Sequence, residues 1–164
     1  MTPAMNTPRF AVDTMLGRLA RWLRLLGYDT LYDRQLSGRA LMRRARTEGR
    51  TVLTRDRKLD GDLQCPVCFV ESDHVREQVQ QVVHTFALTR FDGLLTRCVC
   101  CNCAVVPVAK QDIAHLVPAY VLATHARFAR CPRCGRAFWR GTHVARVRAE
   151  LAAMGFGQAP DDTT

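Results

Sequence analysis

Apolar positions in the first half of the chain fall into two alternating patterns. Short unbroken runs at Phe10-Ala11-Val12, Thr30-Leu31-Tyr32, Thr51-Val52-Leu53 and Val67 to Val70 predict strands covered on both faces. Between them lie stretches with helical spacing. Leu16, Leu19, Ala20, Leu23 and Leu26 mark a helix closed by Gly27. Leu41, Met42 and Ala45 mark a second, ending before Gly49, and Val75, Val79, Val82, Val83 and Phe86 trace the apolar face of a third. Strands and helices alternating in this order predict an α/β fold with a parallel sheet flanked by helices.

From Arg97 onward cysteines punctuate the chain. The expected division is an α/β domain over 1–96, a cysteine-bearing module over 97–155 and a polar tail over 156–164. Cys98-Val-Cys-Cys101 and Cys131-Pro-Arg-Cys134-Gly135 are two Cys-x-x-Cys knuckles, and four thiolates suit the tetrahedral preference of structural Zn²⁺, so the module is expected to be a zinc ribbon. Cys100 with Cys103 is a competing pair. The residue after a knuckle's second cysteine often needs a left-handed backbone, which Gly135 and Asn102 tolerate and Ala104 does not, so Cys98, Cys101, Cys131 and Cys134 are the expected ligands. Cys65-Pro-Val-Cys68 is a third unit. It could join Cys100 and Cys103 in a second zinc site or act as a redox pair, but its place on and before a strand favours two buried small apolar residues.

Composition adds a compartment and a class of partner. Hydrophobic residues make up 48% of the 164, enough for a core, and no run of about 18 apolar residues offers a membrane span. Residues 1–9 lack the order of a secretory signal, so a soluble, cytoplasmic protein with metal-binding rather than disulfide-bonded cysteines is expected. The net charge of +9 suits a polyanion, although 22 of the 24 basic residues are Arg and an ordinary solvated surface accounts for many of them.

In a parallel sheet ligands gather beyond the carboxyl ends of the strands. Asp13 follows the first predicted strand, Asp33 the second, Asp56 comes soon after the third and Asp73 after the fourth. Such oxygen donors suit Mg²⁺ or Mn²⁺, which activates water and stabilises charge on a scissile phosphate. Asp13 and Asp56 are the expected catalytic carboxylates, while Asp33 and Asp73 fit turn or cap positions better.

Phe10-Ala-Val-Asp13-Thr-Met-Leu-Gly-Arg-Leu-Ala-Arg-Trp-Leu-Arg-Leu-Leu-Gly-Tyr-Asp29 and Gly49-Arg-Thr-Val-Leu-Thr-Arg-Asp56 closely resemble signature segments of the Mut-seven C-terminal RNase domain family. So do Arg97-Cys98, Cys101-Asn102, Cys131 to Gly135 and Trp139-Arg-Gly-Thr-His143. The resemblance implies a PIN-like nuclease domain fused to a zinc ribbon, with Asp13 and Asp56 in its metal site. The chain departs from the family at Ser37-Gly38-Arg39-Ala40, where an acidic cluster is replaced by residues without a carboxylate. Asp33, Asp60, Asp62 and Asp73 are the acids available to complete the site.

Phosphate contacts are expected from Arg18 on the first helix, Arg55 beside Asp56, and Arg133 and Arg136 around the second knuckle. Arg21, Arg24 and Trp22 share the first helix, where a solvated face and core packing compete with RNA contact. The expected activity is divalent-metal-dependent cleavage of RNA, with single-stranded RNA as the expected partner and the zinc ribbon helping to bind it. The alternative is an RNA- or ribosome-binding module whose nuclease site has decayed.

Overall fold

A computed structural model describes residues 7–59, 64–88 and 93–156. Strands β1 (Phe10–Val12), β2 (Thr30–Leu31), β3 (Thr51–Thr54) and β4 (Val67–Phe69) form one sheet in the order β2-β1-β3-β4, and every pairing is parallel. Between and after them run α1 (Gly17–Leu25), α2 (Gly38–Glu48) and α3 (Val75–Thr85). Each strand and helix expected in this half is present, within about a residue or two at its ends.

Alternation along the strands explains why their sequences are apolar throughout. Phe10, Val12 and Leu53 face one cluster, with Leu19 and Leu23 of α1 and Val79 and Val82 of α3. Ala11 and Val52 face the other, with Leu41, Met42 and Ala45 of α2. Successive strand side chains point to opposite faces, and here both faces are covered by helix. From β1 the chain steps outward to β2, and from β3 it steps outward to β4 on the other side. The topological switch point therefore lies between β1 and β3, and the crevice beyond their carboxyl ends is where such sheets bind ligands.

The second half carries an antiparallel sheet in the order β5-β6-β7, from β5 (Val106–Val108), β6 (Phe128–Arg130) and β7 (Ala137–Trp139). The long connection between the knuckles holds two short helices, α4 (Lys110–Ile113) and α5 (Ala119–Thr124), and Ile113 and Val121 of these helices pack on Phe128 together with Val117 between them. Sequence periodicity did not expose them, because a few residues on either side of Pro118 give too little repeat to recognise. Helix α6 (Thr142–Ala153) then returns to the first half: Val144, Leu151, Met154 and Phe156 join the α1/α3 cluster, and Gln80 Nε2 donates to the Met154 carbonyl at 3.0 Å.

Residues 93–98 cross the end of α1 at close range. A side chain on Gly27, where φ is +96°, would place its Cβ 2.3 Å from the Gly93 carbonyl oxygen. That crossing delivers the first knuckle to the sheet edge. Among the described residues no helix is long and apolar enough to span a membrane.

Candidate functional site

Two centres are built on this frame. The first is made by a local hairpin used twice. The amide of Cys98 donates to the Cys103 carbonyl at 2.8 Å, and that of Cys131 to the Arg136 carbonyl at 2.9 Å. The amides of Asn102 and Gly135 return to the Cys98 and Cys131 carbonyls at 2.9 and 3.0 Å. Both returning residues are left-handed, with φ of +62° and +73°, as the choice of Cys98 with Cys101 required. The Cys101 and Cys134 amides point at the Cys98 and Cys131 sulfurs at 3.4 and 3.5 Å.

Together the two hairpins bring the sulfurs of Cys98, Cys101, Cys131 and Cys134 within 4.8 Å of one another. Cys98 and Cys134 are 3.7 Å apart. A Zn–S bond of about 2.3 Å in a tetrahedron requires sulfur–sulfur edges of about 3.8 Å, so the donors fit a structural metal such as zinc. The thiols also differ from one another in how they titrate. Burial, with hydrogen bonding from the neighbouring thiols, holds Cys101 up at about 12. At Cys131 burial acts in the same direction but is outweighed by the amides of Cys134 and Arg133, which bring it down to about 7. Four thiolates cannot share this volume without a positive charge among them. His143, exposed and edge-on to Trp139 with ring centroids 6.0 Å apart, is outside the cluster.

Cys65 and Cys68 do not join a metal site. Cys65 is buried in the α2 cluster, with its thiol 3.6 Å from the Arg50 carbonyl, and Cys68 lies within β4. Among the described residues, the four knuckle cysteines are the one group of three or more His, Cys, Asp or Glu side chains close enough to share an ion.

The first knuckle is fastened to the parallel sheet. Asn102 Oδ1 accepts from the Thr30 amide at 2.9 Å, and its Nδ2 donates to Asp29 Oδ1 at 2.7 Å. Arg24, nearly fully buried, donates to the carbonyls of Val99 and Cys100 at 3.1 and 2.9 Å and to that of Thr30 at 2.9 Å. Burial lowers the pKa of its guanidinium, an effect opposed by the Cys100, Cys98 and Cys101 thiols beside it. Arg24 thus differs from its helix neighbours Arg18 and Arg21, which are exposed.

The second centre lies at the switch point. Asp13 is buried, 3% exposed, directly after β1. Its Oδ1 accepts from the Thr14 amide at 2.7 Å and so caps the 3-10 turn Thr14–Leu16. Its Oδ2 accepts from the Thr54 hydroxyl at 2.7 Å, and the Thr54 oxygen in turn accepts the Asp56 amide at 2.9 Å. Thr54 therefore links the Asp13 carboxylate to the Asp56 backbone amide across β1 and β3. Asp56 is half-buried, and its Oδ1 accepts from the Lys58 amide at 2.9 Å. Nothing in the sequence singled out Thr54. The available signal was a hydroxyl at the end of a strand, two residues before an acid.

The remaining acids lie elsewhere. Asp33 is an exposed turn residue whose Oδ1 accepts from the Gln35 amide at 2.8 Å. Asp73 is exposed beside His74, 3.5 Å away. Asp60 and Asp62 lie outside the described residues. Arg55 is engaged with the Val70 and Glu71 carbonyls, bracing the β3 loop against the end of β4. Arg133 and Arg136 are exposed around the second knuckle.

The family model described as Mut7-C RNAse domain matches residues 8–151, most of the chain. The protein belongs to this Mut7-C family. No curated protein and no solved structure matches it. Membership in the Mut7-C family supports a ribonuclease-like role with RNA as substrate or partner.

Proposed function

We propose that the protein is a divalent-metal-dependent ribonuclease of PIN-like type, with Asp13 and Asp56 as the carboxylates of its active site. The observation that carries this is the Asp13–Thr54–Asp56 link at the switch point of the sheet, in a chain of the Mut7-C RNAse domain family. Carboxylate and hydroxyl oxygens are the donor set that Mg²⁺ or Mn²⁺ prefers, and among the described residues only Oδ1 of Asp56 accepts a hydrogen bond. When bound there, such an ion polarises a phosphate and lowers the pKa of an attacking water. The chain's own part is positional. Thr54 fixes Asp13 Oδ2, the Thr14 amide fixes Oδ1, and burial keeps that carboxylate from turning away. Arg18, Arg133 and Arg136 draw RNA by its phosphates, and zinc at the four cysteines keeps the ribbon folded.

One observation favours a second reading, an RNA- or ribosome-binding module with a degenerate nuclease site. Among the described residues no third carboxylate joins Asp13 and Asp56. RNA cleavage by wild type, Asp13→Asn and Asp56→Asn across a Mn²⁺ titration separates the two. The enzyme reading expects wild-type cleavage that saturates at millimolar Mn²⁺, since few ligands hold the ion weakly, and loss of at least 100-fold in either variant. Identical residual cleavage by all three proteins at every concentration leaves the binding-module reading.

A further inference from the structure

Beginning at Met15, two residues after Asp13, the surface opens into a groove of about 600 Å³ between the start of α1, the start of α3 and the first knuckle. Arg18, Arg21 and Arg34 line it, against a single carboxylate, Asp73. None of these three guanidinium groups has an ion-pair or hydrogen-bond partner among the described residues. Elsewhere in the α/β half Arg9 and Arg50 are paired with Asp29 and Arg44 with Glu48, while Arg39 and Arg43, on the outside of α2, share the lack of a partner among the described residues but do not line this groove. Three unpaired cations around one concavity repel each other and focus a positive potential that an anion relieves.

The groove is tied to the carboxylate site by its floor. Tyr32 lies in it and donates its hydroxyl to the Thr14 carbonyl at 3.1 Å, one residue from Asp13. Gly17 permits this, because a Cβ there would come within 2.6 Å of the Tyr32 oxygen. Met15, 58% exposed, adds an apolar side chain to the lining. The far wall is the knuckle itself, at Val99 and Cys100, held in place by Arg24.

The geometry points to this groove as the seat of the RNA backbone beside the cleavage site: it takes about one or two nucleotides of a single strand, with phosphates on Arg18, Arg21 and Arg34 and the metal-bound knuckle as its outer wall. Pockets of roughly 300–1,000 Å³ enclose ligands of that size, and a duplex is too wide to enter. Cations with an apolar surface between them match the alternation of phosphate and base along a single strand. This deepens the ribonuclease reading and rests on it for the identity of the ligand.

The test uses the full-length, metal-loaded protein and a fluorescein-labelled single-stranded RNA, with anisotropy read at several salt concentrations and no Mg²⁺ or Mn²⁺ added. Arg18→Gln/Arg21→Gln/Arg34→Gln, checked for folding by circular dichroism, is expected to bind at least tenfold more weakly. Its plot of log affinity against log salt should flatten by about 0.7 for each lost phosphate contact. Arg133→Gln/Arg136→Gln should lose less, and a blunt duplex of equal length should bind more weakly than the single strand. Bound RNA should also slow alkylation of exposed Cys100, which lines the groove, more than that of Cys103, which does not. A folded triple variant with wild-type affinity, equal protection of the two thiols, or equal affinity for the duplex overturns the proposal. Cleavage under Mn²⁺ is scored separately. If the triple variant loses binding while wild type cuts nothing, the groove stands and the nuclease reading falls; if the variant binds and cuts as wild type does, the reverse holds.

Discussion

The four cysteines and the two carboxylates are assembled by different physics. Each cysteine pair is shaped by its own hairpin, whose bonds between the knuckle's own residues span five residues or fewer, and the chain then has to bring two copies of one module together. Asp13 and Asp56 follow separate strands and depend on the parallel sheet to lie at neighbouring strand ends, with Thr54 bonding the Asp13 carboxylate to the Asp56 backbone amide. A local module announces itself in sequence and yields a complete donor set. A topological one depends on the whole fold, and among the described residues it gathers no group of three acids.

Metal removal should give the largest effect. Binding and folding are coupled in zinc modules on the order of 10 kcal/mol. One zinc per chain is expected by elemental analysis, and Cys131→Ser or a strong chelator should melt the ribbon. Because Asn102 accepts from the Thr30 amide, hydrogen exchange at Thr30 should rise at the same time, although it belongs to the other sheet. Two zinc ions per chain would contradict the single centre and bring back Cys65, Cys68, Cys100 and Cys103 as ligands.

Thr54 should matter next. Thr54→Val keeps the shape of a fully buried side chain but leaves Asp13 Oδ2 without its donor, and a hydrogen bond to a charged group contributes about 2 kcal/mol. Thr54→Ser keeps the hydroxyl and should recover most of that stability in denaturant unfolding. Under the ribonuclease reading it should recover cleavage too. If Val and Ser variants are equally stable, Thr54 does not hold the pair.

Asn102 tests the joint between the centres. Asn102→Gly preserves the left-handed turn and removes the bonds to Thr30 and Asp29, for an expected loss of about 1–2 kcal/mol. Gly135→Ala leaves no such joint to break but strains the other knuckle at φ +73°, by about 1 kcal/mol. Thermal unfolding that ranks Gly135→Ala as the more damaging would mean that knuckle conformation outweighs docking.

Legibility followed the same division. The α/β order, three helices, their glycine ends at Gly27 and Gly49, and the four ligands could be read because each rests on periodicity or spacing within a short window. Asn102 was chosen for its backbone alone, while its side chain proved to carry the docking to β2. Arg24 looked like one of three equivalent helix arginines. Only the crossing of residues 93–98 over α1 explains why it is buried while Arg18 and Arg21 are not, and no local pattern contains that crossing. Likewise α6 has a partner face only once α1 and α3 are in place.

The smallest expected effect is acid sensitivity at Asp29, where the two halves share a charge. Its carboxylate accepts from Arg50 Nη1 at 2.7 Å and Nη2 at 3.2 Å, from Asn102 Nδ2 at 2.7 Å and from Arg9 Nε at 3.1 Å. Burial favours the neutral acid, but the hydrogen bonds from Arg50, Asn102 and Arg9 outweigh it and push the pKa down to about 2. A carboxyl whose pKa is lower folded than unfolded stabilises the fold above its unfolded value, near 4, and loses that contribution as pH falls toward 2. Acid also protonates the thiolates and releases their metal, so the total stability of wild type is not a clean measure of Asp29. The difference between wild type and Asp29→Asn is. It should be constant from neutral pH down to about 5 and shrink between about 4 and 2, whereas a difference independent of pH would mean that Asp29 acts through packing rather than charge. Asn102→Gly removes one of the donors, so the Asp29 carboxyl, followed by its own NMR titration, should move up toward its ordinary value in that variant. A titration unchanged by Asn102→Gly would show that the arginines alone hold the charge and that the knuckle contributes only to the docking of β2.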